Sequence, residues 1–409
     1  MSRNKTDFSE HKALEILLGD VLSQVDNVSS LQKLTQIFLE ILMKKERELF
    51  LSTQQNNKAN GYYSRDLACM FGNLNLKVPR DRLSFFRPLV LPSPYQKADE
   101  SFNNFVLNLI LHNYSPNKIK SILNSLNLPY SPEQIEELKD DFCQKAKEFL
   151  TRQLPENVFS LFIDAYHVQI KDDDTKQIKE SVIYNVLGID MSGKKDLYGS
   201  YISQGKENRE DWLVILNNLI QRGLKRVLLI ISDDFPGLDQ AIKTLFPNTD
   251  HQLCFIHMQR NVRRNMSKTD AKEFNKSLTS IRLISDYDKA ISMFENLCEE
   301  YKNKYPTFIK YLLAKKHLYF SFIKYPEPLR KHIYTTNIVE NLHSRIELIR
   351  INSGGHFQST KTAEISIFLT VQNLKKGKWF KPLPAFREAL YEINQLFATR
   401  FYKETQNFV

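Results

Sequence analysis

Residues 227–261, VLLIISDDFPGLDQAIKTLFPNTDHQLCFIHMQRN, constrain this chain most. Five apolar residues, Val227 to Ile231, run straight into Ser232, Asp233 and Asp234. A short apolar run cut off by polar residues reads as a strand buried on both faces. Pro236 and Gly237 make a turn, and Leu238, Ile242 and Leu245 share one face of a short helix. Pro247 and Asn248 end it, and a second apolar strand is expected at 252–256. A strand–helix–strand unit sets its carboxylates at the sheet edge, where open α/β sheets place their chemistry. Asp is disfavoured in strands and costly to bury unpaired, so a carboxylate there needs a partner, and a metal ion is one candidate.

The chain has 409 residues, enough for several domains, and 42% are hydrophobic, which excludes a disordered polypeptide. A formal charge of +10 favours an anionic partner such as nucleic acid. Cys69, Cys143, Cys254 and Cys298 are far apart and make no disulfide framework, which suits a reducing compartment. No apolar leader and no membrane-length apolar run is visible, so a soluble protein of the cytoplasm is expected.

In chain order, residues 7–56 read as two helices. Residues 57–97 read as a small β element, with a turn signal at Asn60-Gly61 and alternation in Leu74, Leu76 and Val78. There Arg65 and Arg80 stand near Tyr62 and Tyr63, a nucleic-acid surface or an ordinary polar hairpin face. Residues 98–150 read as three helices, one opened by the capping box Ser131-Pro132-Glu133-Gln134. With Lys118 and Lys120 between tight turns, they suit a helix-turn-helix DNA reader or any small helical bundle. Three strands follow, at 158–170, 181–189 and 197–202. A helix over 207–222 should point Trp212, Leu213, Leu216, Leu219 and Ile220 inward. Strand, strand, strand, helix, strand, helix, strand gives an α/β fold with a mixed sheet in the ribonuclease-H-like order. Residues 263–330 are helical, and 335–351 form a further helix. The catalytic fold is thus expected over 151–262 and 331–400, around a helical insertion, with a mainly helical DNA-binding region before it.

In that topology Asp164, at the end of the first strand, faces Asp233, at the end of the fourth. Paired hard oxygens bind Mg²⁺ or Mn²⁺. Two such ions clamp the attacking and leaving oxygens of a phosphoryl displacement. A third carboxylate normally comes from a later helix, and Glu340 is the candidate, with Glu347 next. Plainer readings stand beside these. Asp164 could serve a turn, Asp233 or Asp234 could cap the following helix, and Glu340 could close a capping box with Asn337. Asp172-Asp173-Asp174 reads as a solvated turn. Cys254 and His257 are spaced like half a zinc site but lack a second pair. Arg260, Arg263 and Arg264 lie where a helix face could follow a phosphate backbone or simply meet solvent.

Several segments resemble the Mutator-type DDE transposases of bacterial insertion sequences. They are NGYYSRDL, LKVPRDR, LFIDAYHVQIK, YNVLGID, SDDFPGLDQAI, FPNTDHQLCFIHMQRN and IYTTNIVENLHSRI, in order over roughly residues 58–395. The resemblance implies that Asp164, Asp233 and Glu340 are the catalytic acids holding two Mg²⁺ ions, with Mn²⁺ able to substitute. It implies that Cys254 and His257 support the site and that the insertion is all-helical. It also implies binding of terminal inverted repeats and target DNA, a homodimer, strand cleavage and strand transfer, a circular intermediate, and a nucleoid-associated protein. Arg260, Arg263, Arg264 and Arg345 would grip phosphates. Asp234 stands where the family usually has glycine. The competing expectation is a catalytically inactive DNA-binding derivative of the same fold.

Overall fold

The computed structural model of the chain describes residues 31–54, 56–93, 98–111, 116–125, 131–172, 174–204, 209–377, 379 and 381–406. The chain divides into two compact units, 1–141 and 142–409.

The first unit holds helix α1 (Leu31–Ser52), strands β1 (Ala59–Cys69) and β2 (Gly72–Asp81), and helices α2 (Glu100–Leu111) and α3 (Pro116–Ser125). Leu74, Leu76 and Val78 alternate inward and are buried with Met43 and Leu67. The turn is not where the sequence signal put it. β1 pairs with β2 from Cys69↔Gly72 upward, so the chain reverses at Met70-Phe71. Gly61 instead adopts φ 66° beside the register shift between Ala59 and Tyr62, where its freedom serves a bulge. The second expected N-terminal helix is α1, and the first lies outside the described residues. All three helices expected over 98–150 form. The third, α4 (Pro132–Thr151), opens on the anticipated capping box. Ser131 N donates to Gln134 Oε1 at 2.9 Å, and Gln134 N donates to Ser131 Oγ at 3.3 Å.

The second unit is built on β3 (Asn157–Lys171), β4 (Ile178–Asp190), β5 (Lys195–Gln204), β6 (Arg226–Ser232) and β7 (Asp250–Leu253), with helices α5 (Arg209–Gln221) and α6 (Leu238–Leu245) between them. The mixed sheet runs β5-β4-β3-β6-β7. β3 is antiparallel to β4 and parallel to β6, so the first and fourth strands are neighbours as expected. One face packs on α5 and α6 through Leu161, Ile163, Val186, Trp212, Leu216 and Leu238. Leu213, expected inward, is 40% exposed, because the buried face of α5 runs through Trp212, Ile215, Leu216 and Leu219.

Seven further helices of eight or more residues follow among the described residues: α7 (Phe255–Asn265), α8 (Lys268–Ile281), α9 (Tyr287–Tyr301), α10 (Pro306–Ala314), then α13 (Asn337–Asn352), α14 (Thr360–Lys376) and α15 (Pro384–Gln406). The shorter α11 (Lys316–Tyr319) and α12 (Glu327–Ile333) lie between α10 and α13. The second sheet face joins Phe162, Ile183 and Leu187 to Val339, Leu342 and Ile346 of α13 and to Ala363 and Ile367 of α14.

One strand end differs from expectation. β6 stops at Ser232, which pairs with Leu253, so β7 has no ladder to follow beyond that residue. The expected strand over 252–256 therefore ends early, and Cys254 is the N-cap of α7. The strand expected at 158–170 forms as β3 with β4 alongside it throughout, so Asp164 stands inside the strand rather than at its end. Asp164 marks the point where β3 loses its other neighbour, just after Ile163↔Ser232.

The run of helices starts at Cys254 and reaches α13 at Thr335, and these two points are stitched together. Phe255 N donates to Tyr334 O at 2.8 Å. Cys254 Sγ lies 3.6 Å from Thr335 Oγ1 and accepts from Thr336 N at 3.5 Å and Thr336 Oγ1 at 3.4 Å. No helix of the described residues is long and apolar enough to cross a membrane.

Candidate active site

Register decides where the first two acids meet. Phe162 and Ile231 are paired and lie in the same core, so Asp164 and Asp233, two residues further on, project from that same sheet face. Asp164 is buried at 6% exposure. Its Oδ1 accepts from Ala165 N at 2.9 Å, and its Oδ2 lies 3.4 Å from His343 Nδ1. Glu340 comes from the first turn of α13, packed on this face by Val339, Leu342 and Ile346.

Cations tie the acids together. His257, in the first turn of α7, forms an ion pair through Nδ1 with Asp233 and points Nε2 at Glu340 Oε1, 3.4 Å away. Arg260, one turn later, donates Nη1 to Glu340 Oε1 at 2.8 Å. Burial pushes the Asp233 carboxyl above the usual carboxylate range; His257 offsets part of this, while the charges of Asp164 and Glu340 add to it. Burial works against charge on His257, but the bonds to Asp233 and Cys254 outweigh it and push the imidazole up to about 10. Burial also opposes the Cys254 thiolate, yet the bond to His257 and then that to Thr336 hold its pKa below the usual thiol value.

The plainer readings of these acids are not what the structure adopts. α6 starts at Leu238 after Gly237, with no side-chain cap, so neither Asp233 nor Asp234 caps it. α13 likewise has no side-chain cap bond at Thr336, and the Glu340 carboxylate is turned to Arg260. Asp234 points away from the acids: it accepts from the Tyr311 hydroxyl and pairs with Lys315, both beyond α9. Burial and then Asp234 push the Tyr311 phenol up to about 12. Glu347 is occupied by Arg350, 2.5 Å away, and by the Tyr166 hydroxyl. Asp172, by contrast, does close its turn, accepting from Thr175 N at 2.7 Å.

A cavity of about 190 Å³ opens beside Asp233 and Asp234, walled by Phe235, Tyr311 and Tyr319 with Asn261 and Arg264. Asp233, Cys254 and His257 place one ligand atom each within 4.8 Å of one another. In that trio the imidazole is already committed to Asp233, and the thiol to Thr336. The carboxylates of Asp233 and Glu340, by contrast, are hard-oxygen donors bridged by His257 and Arg260, and Asp164 lies beside them with His343 as its neighbour.

The profile of the Mutator transposase family matches residues 6–381. The chain belongs to this family. It is 28% identical over 292 residues to the transposase for insertion sequence element IS905 of Lactococcus lactis, covering 71% of this chain and 73% of the relative. It is 26% identical over 348 residues to the transposase for insertion sequence element ISRM3 of Rhizobium meliloti, covering 85% and 86%. A solved Drosophila P element transposase strand transfer complex overlaps 73% of this chain and 86% of that one at 12% identity, with a TM-score of 0.28.

The basic residues of this Mutator-family chain fall into different settings. Arg260 lies inside the acid cluster, while Arg263 and Arg264 are exposed on α7. Arg345 is exposed on α13, with Nε 3.4 Å from Asn341 Oδ1. Lys118 and Lys120 are exposed on α3. Arg80 lies over the Tyr63 ring at 4.7 Å. Arg65 donates to the carbonyls of Pro92 and Ser93 at 3.2 and 3.0 Å, so it braces a loop. His343 was not singled out by sequence reasoning. Its signal was a histidine three residues after Glu340 on the apolar side of the helix, where it now meets Asp164 and stacks on Tyr166 at 5.1 Å.

Proposed function

We propose that this chain is an active transposase that binds the terminal inverted repeats of an insertion sequence, cuts a DNA strand at each end and joins the exposed 3′-hydroxyl to another phosphodiester. The reading adopts a ribonuclease-H-like catalytic domain over 151–262 and 331–400 with an inserted helical domain between. The preceding region reads DNA, with residues 98–150 as its helix-turn-helix-like part. Family membership supports the reaction class. One observation supports the chemistry: His257 and Arg260 bridge Asp233 and Glu340, and the charge of Asp164 acts on the Asp233 carboxyl beside it.

Asp164, Asp233 and Glu340 would hold two Mg²⁺ or Mn²⁺ ions. Bound there, such ions polarise a phosphoryl oxygen and lower the pKa of the attacking hydroxyl. The chain supplies the rest. β3 and β6 fix the spacing of two acids through the backbone ladder, and α13 presents the third. His257 holds a proton against Asp233, and Arg260 offers a guanidinium to Glu340 or to a phosphate. Arg263, Arg264 and Arg345 stand exposed for the DNA backbone. No protein nucleophile is needed, so no covalent protein–DNA intermediate forms. The circular intermediate and the dimer on paired ends belong to the same reading.

The test is strand cleavage on a labelled duplex carrying the element's own end, with Mg²⁺ or Mn²⁺, comparing wild type with Glu340→Gln. Wild type cuts at the end, while the variant binds and does not cut. Cutting by both would remove Glu340 from the site, and binding without cutting by wild type would favour the inactive DNA-binding reading.

A further inference from the structure

Asn185 lies in the middle of β4, directly opposite Asp164 on β3. Its neighbours on the same face, Ile183 and Leu187, and those of Asp164, Phe162 and Tyr166, belong to the core that α13 and α14 close. The Asn185 side chain therefore leaves the sheet beside the Asp164 carboxylate. It is 0% exposed, and neither its Oδ1 nor its Nδ2 has a hydrogen-bond partner among the described residues. Asparagine is disfavoured in strands, and a buried amide left unpaired costs roughly 1–3 kcal/mol. A valine or isoleucine would suit this position better if packing alone mattered. A buried polar group kept unsatisfied calls for a partner that comes and goes.

Asp164 has room for that partner. Among the described residues its carboxylate accepts from Ala165 N and faces His343 Nδ1 at 3.4 Å, whereas an ionised carboxylate offers about four lone-pair directions. Carboxylates that ligate a metal are themselves held by hydrogen bonds, and losing such a partner typically weakens metal affinity 10–100-fold.

We propose that Asn185 is a positioning residue for Asp164, its amide N–H donating to the Asp164 carboxylate when that carboxylate bears a divalent ion. The inference rests on the metal-dependent reading above. Asn185 acts through Asp164 and touches no reacting atom. Its unpaired amide is the cost of having the donor ready.

The experiment compares the full chain with Asn185→Val and Asn185→Thr, near-isosteres of one another of which only threonine keeps a hydroxyl. Thermal melting is followed in EDTA, and Mn²⁺ affinity is then measured by calorimetric titration. Asn185→Val is expected to melt at or above wild type in EDTA and to bind Mn²⁺ about tenfold more weakly or worse. Asn185→Thr should recover part of that affinity. Ser200→Ala, the next residue of the same row across β5, should change it little. Mn²⁺ binding by Asn185→Val as tight as wild type overturns the proposal. So does equal loss in the valine and threonine chains with lower melting in EDTA, or failure of the valine chain to fold, either of which makes Asn185 a packing residue. If wild type itself takes up no Mn²⁺, the metal-dependent reading falls and this inference with it.

Discussion

Asp233 and Asp234 are neighbours in sequence with different partners. Asp233 turns to His257 beside the other acids, and Asp234 turns to Tyr311 and Lys315. Asp234→Asn should therefore leave strand cleavage within a few-fold of wild type, whereas Asp233→Asn abolishes it without loss of end binding. Equal loss from both, in the same cleavage assay, would undo the assignment of Asp233 as the second acid. The sequence showed two adjacent carboxylates but not their directions, because direction depends on where α10 brings a tyrosine some eighty positions away. The three acids were legible because each terminates or interrupts an apolar pattern. His343 and Asn185 were not, since a polar residue on an apolar face gains meaning only when the opposite element is known. His257 carries a pH prediction. A histidine raised from 6.5 to about 10 contributes stability fully present below 6.5 and lost as pH rises toward 10. Urea unfolding in EDTA should show stability falling across that window, and His257→Gln should flatten the slope.

At the scale of elements, the site depends on how closely β4 lies against β5. A Cβ on Gly188 would overlap the Tyr198 ring. Since Gly188 pairs with Leu161 on β3, the strain would spread toward the acids' own strand. Overpacking of this kind costs about 1–3 kcal/mol. Gly188→Ala should lower stability by that amount in equilibrium denaturation, and an unchanged midpoint would show that Tyr198 moves aside freely. Strand identities and the order of elements were readable from period-two alternation, apolar runs and turn residues. Strand ends were not. The misplaced end after Leu253, and the place of Asp164 inside β3 rather than at its end, follow from which neighbour a strand still has to pair with. The hairpin turn was misplaced because an Asn-Gly pair suits a bulge as well as a turn, and only pairing distinguishes them.

For the whole molecule, a formal charge of +10 and exposed arginines on α7 and α13 set an expectation about binding. If end recognition rests on phosphate contacts, affinity should fall steeply with salt. A grip of six to ten phosphates loses about 10³–10⁵ in affinity between 50 and 200 mM salt. Mobility-shift titrations across that range would measure the slope, and a flat response would remove the basic grip.

The stitch between Cys254 and Thr335–Thr336, with Phe255 N on Tyr334 O, gives the helical segment a common doorway. The segment begins and ends at the same point, so in chain terms it is a closed loop, held to β6 and β7 again by Tyr319, Phe322 and Tyr325. Closing a loop costs only about 0.6 kcal/mol more for each doubling of its length. In loop-closure terms the outer helices α8 and α9 are therefore free to lengthen or shorten over evolutionary time, while His257 and Arg260 on α7 and the distance between Asp233 and Glu340 stay fixed. In that light Cys254 is a clasp, and a thiol no longer needs a reaction to explain its place.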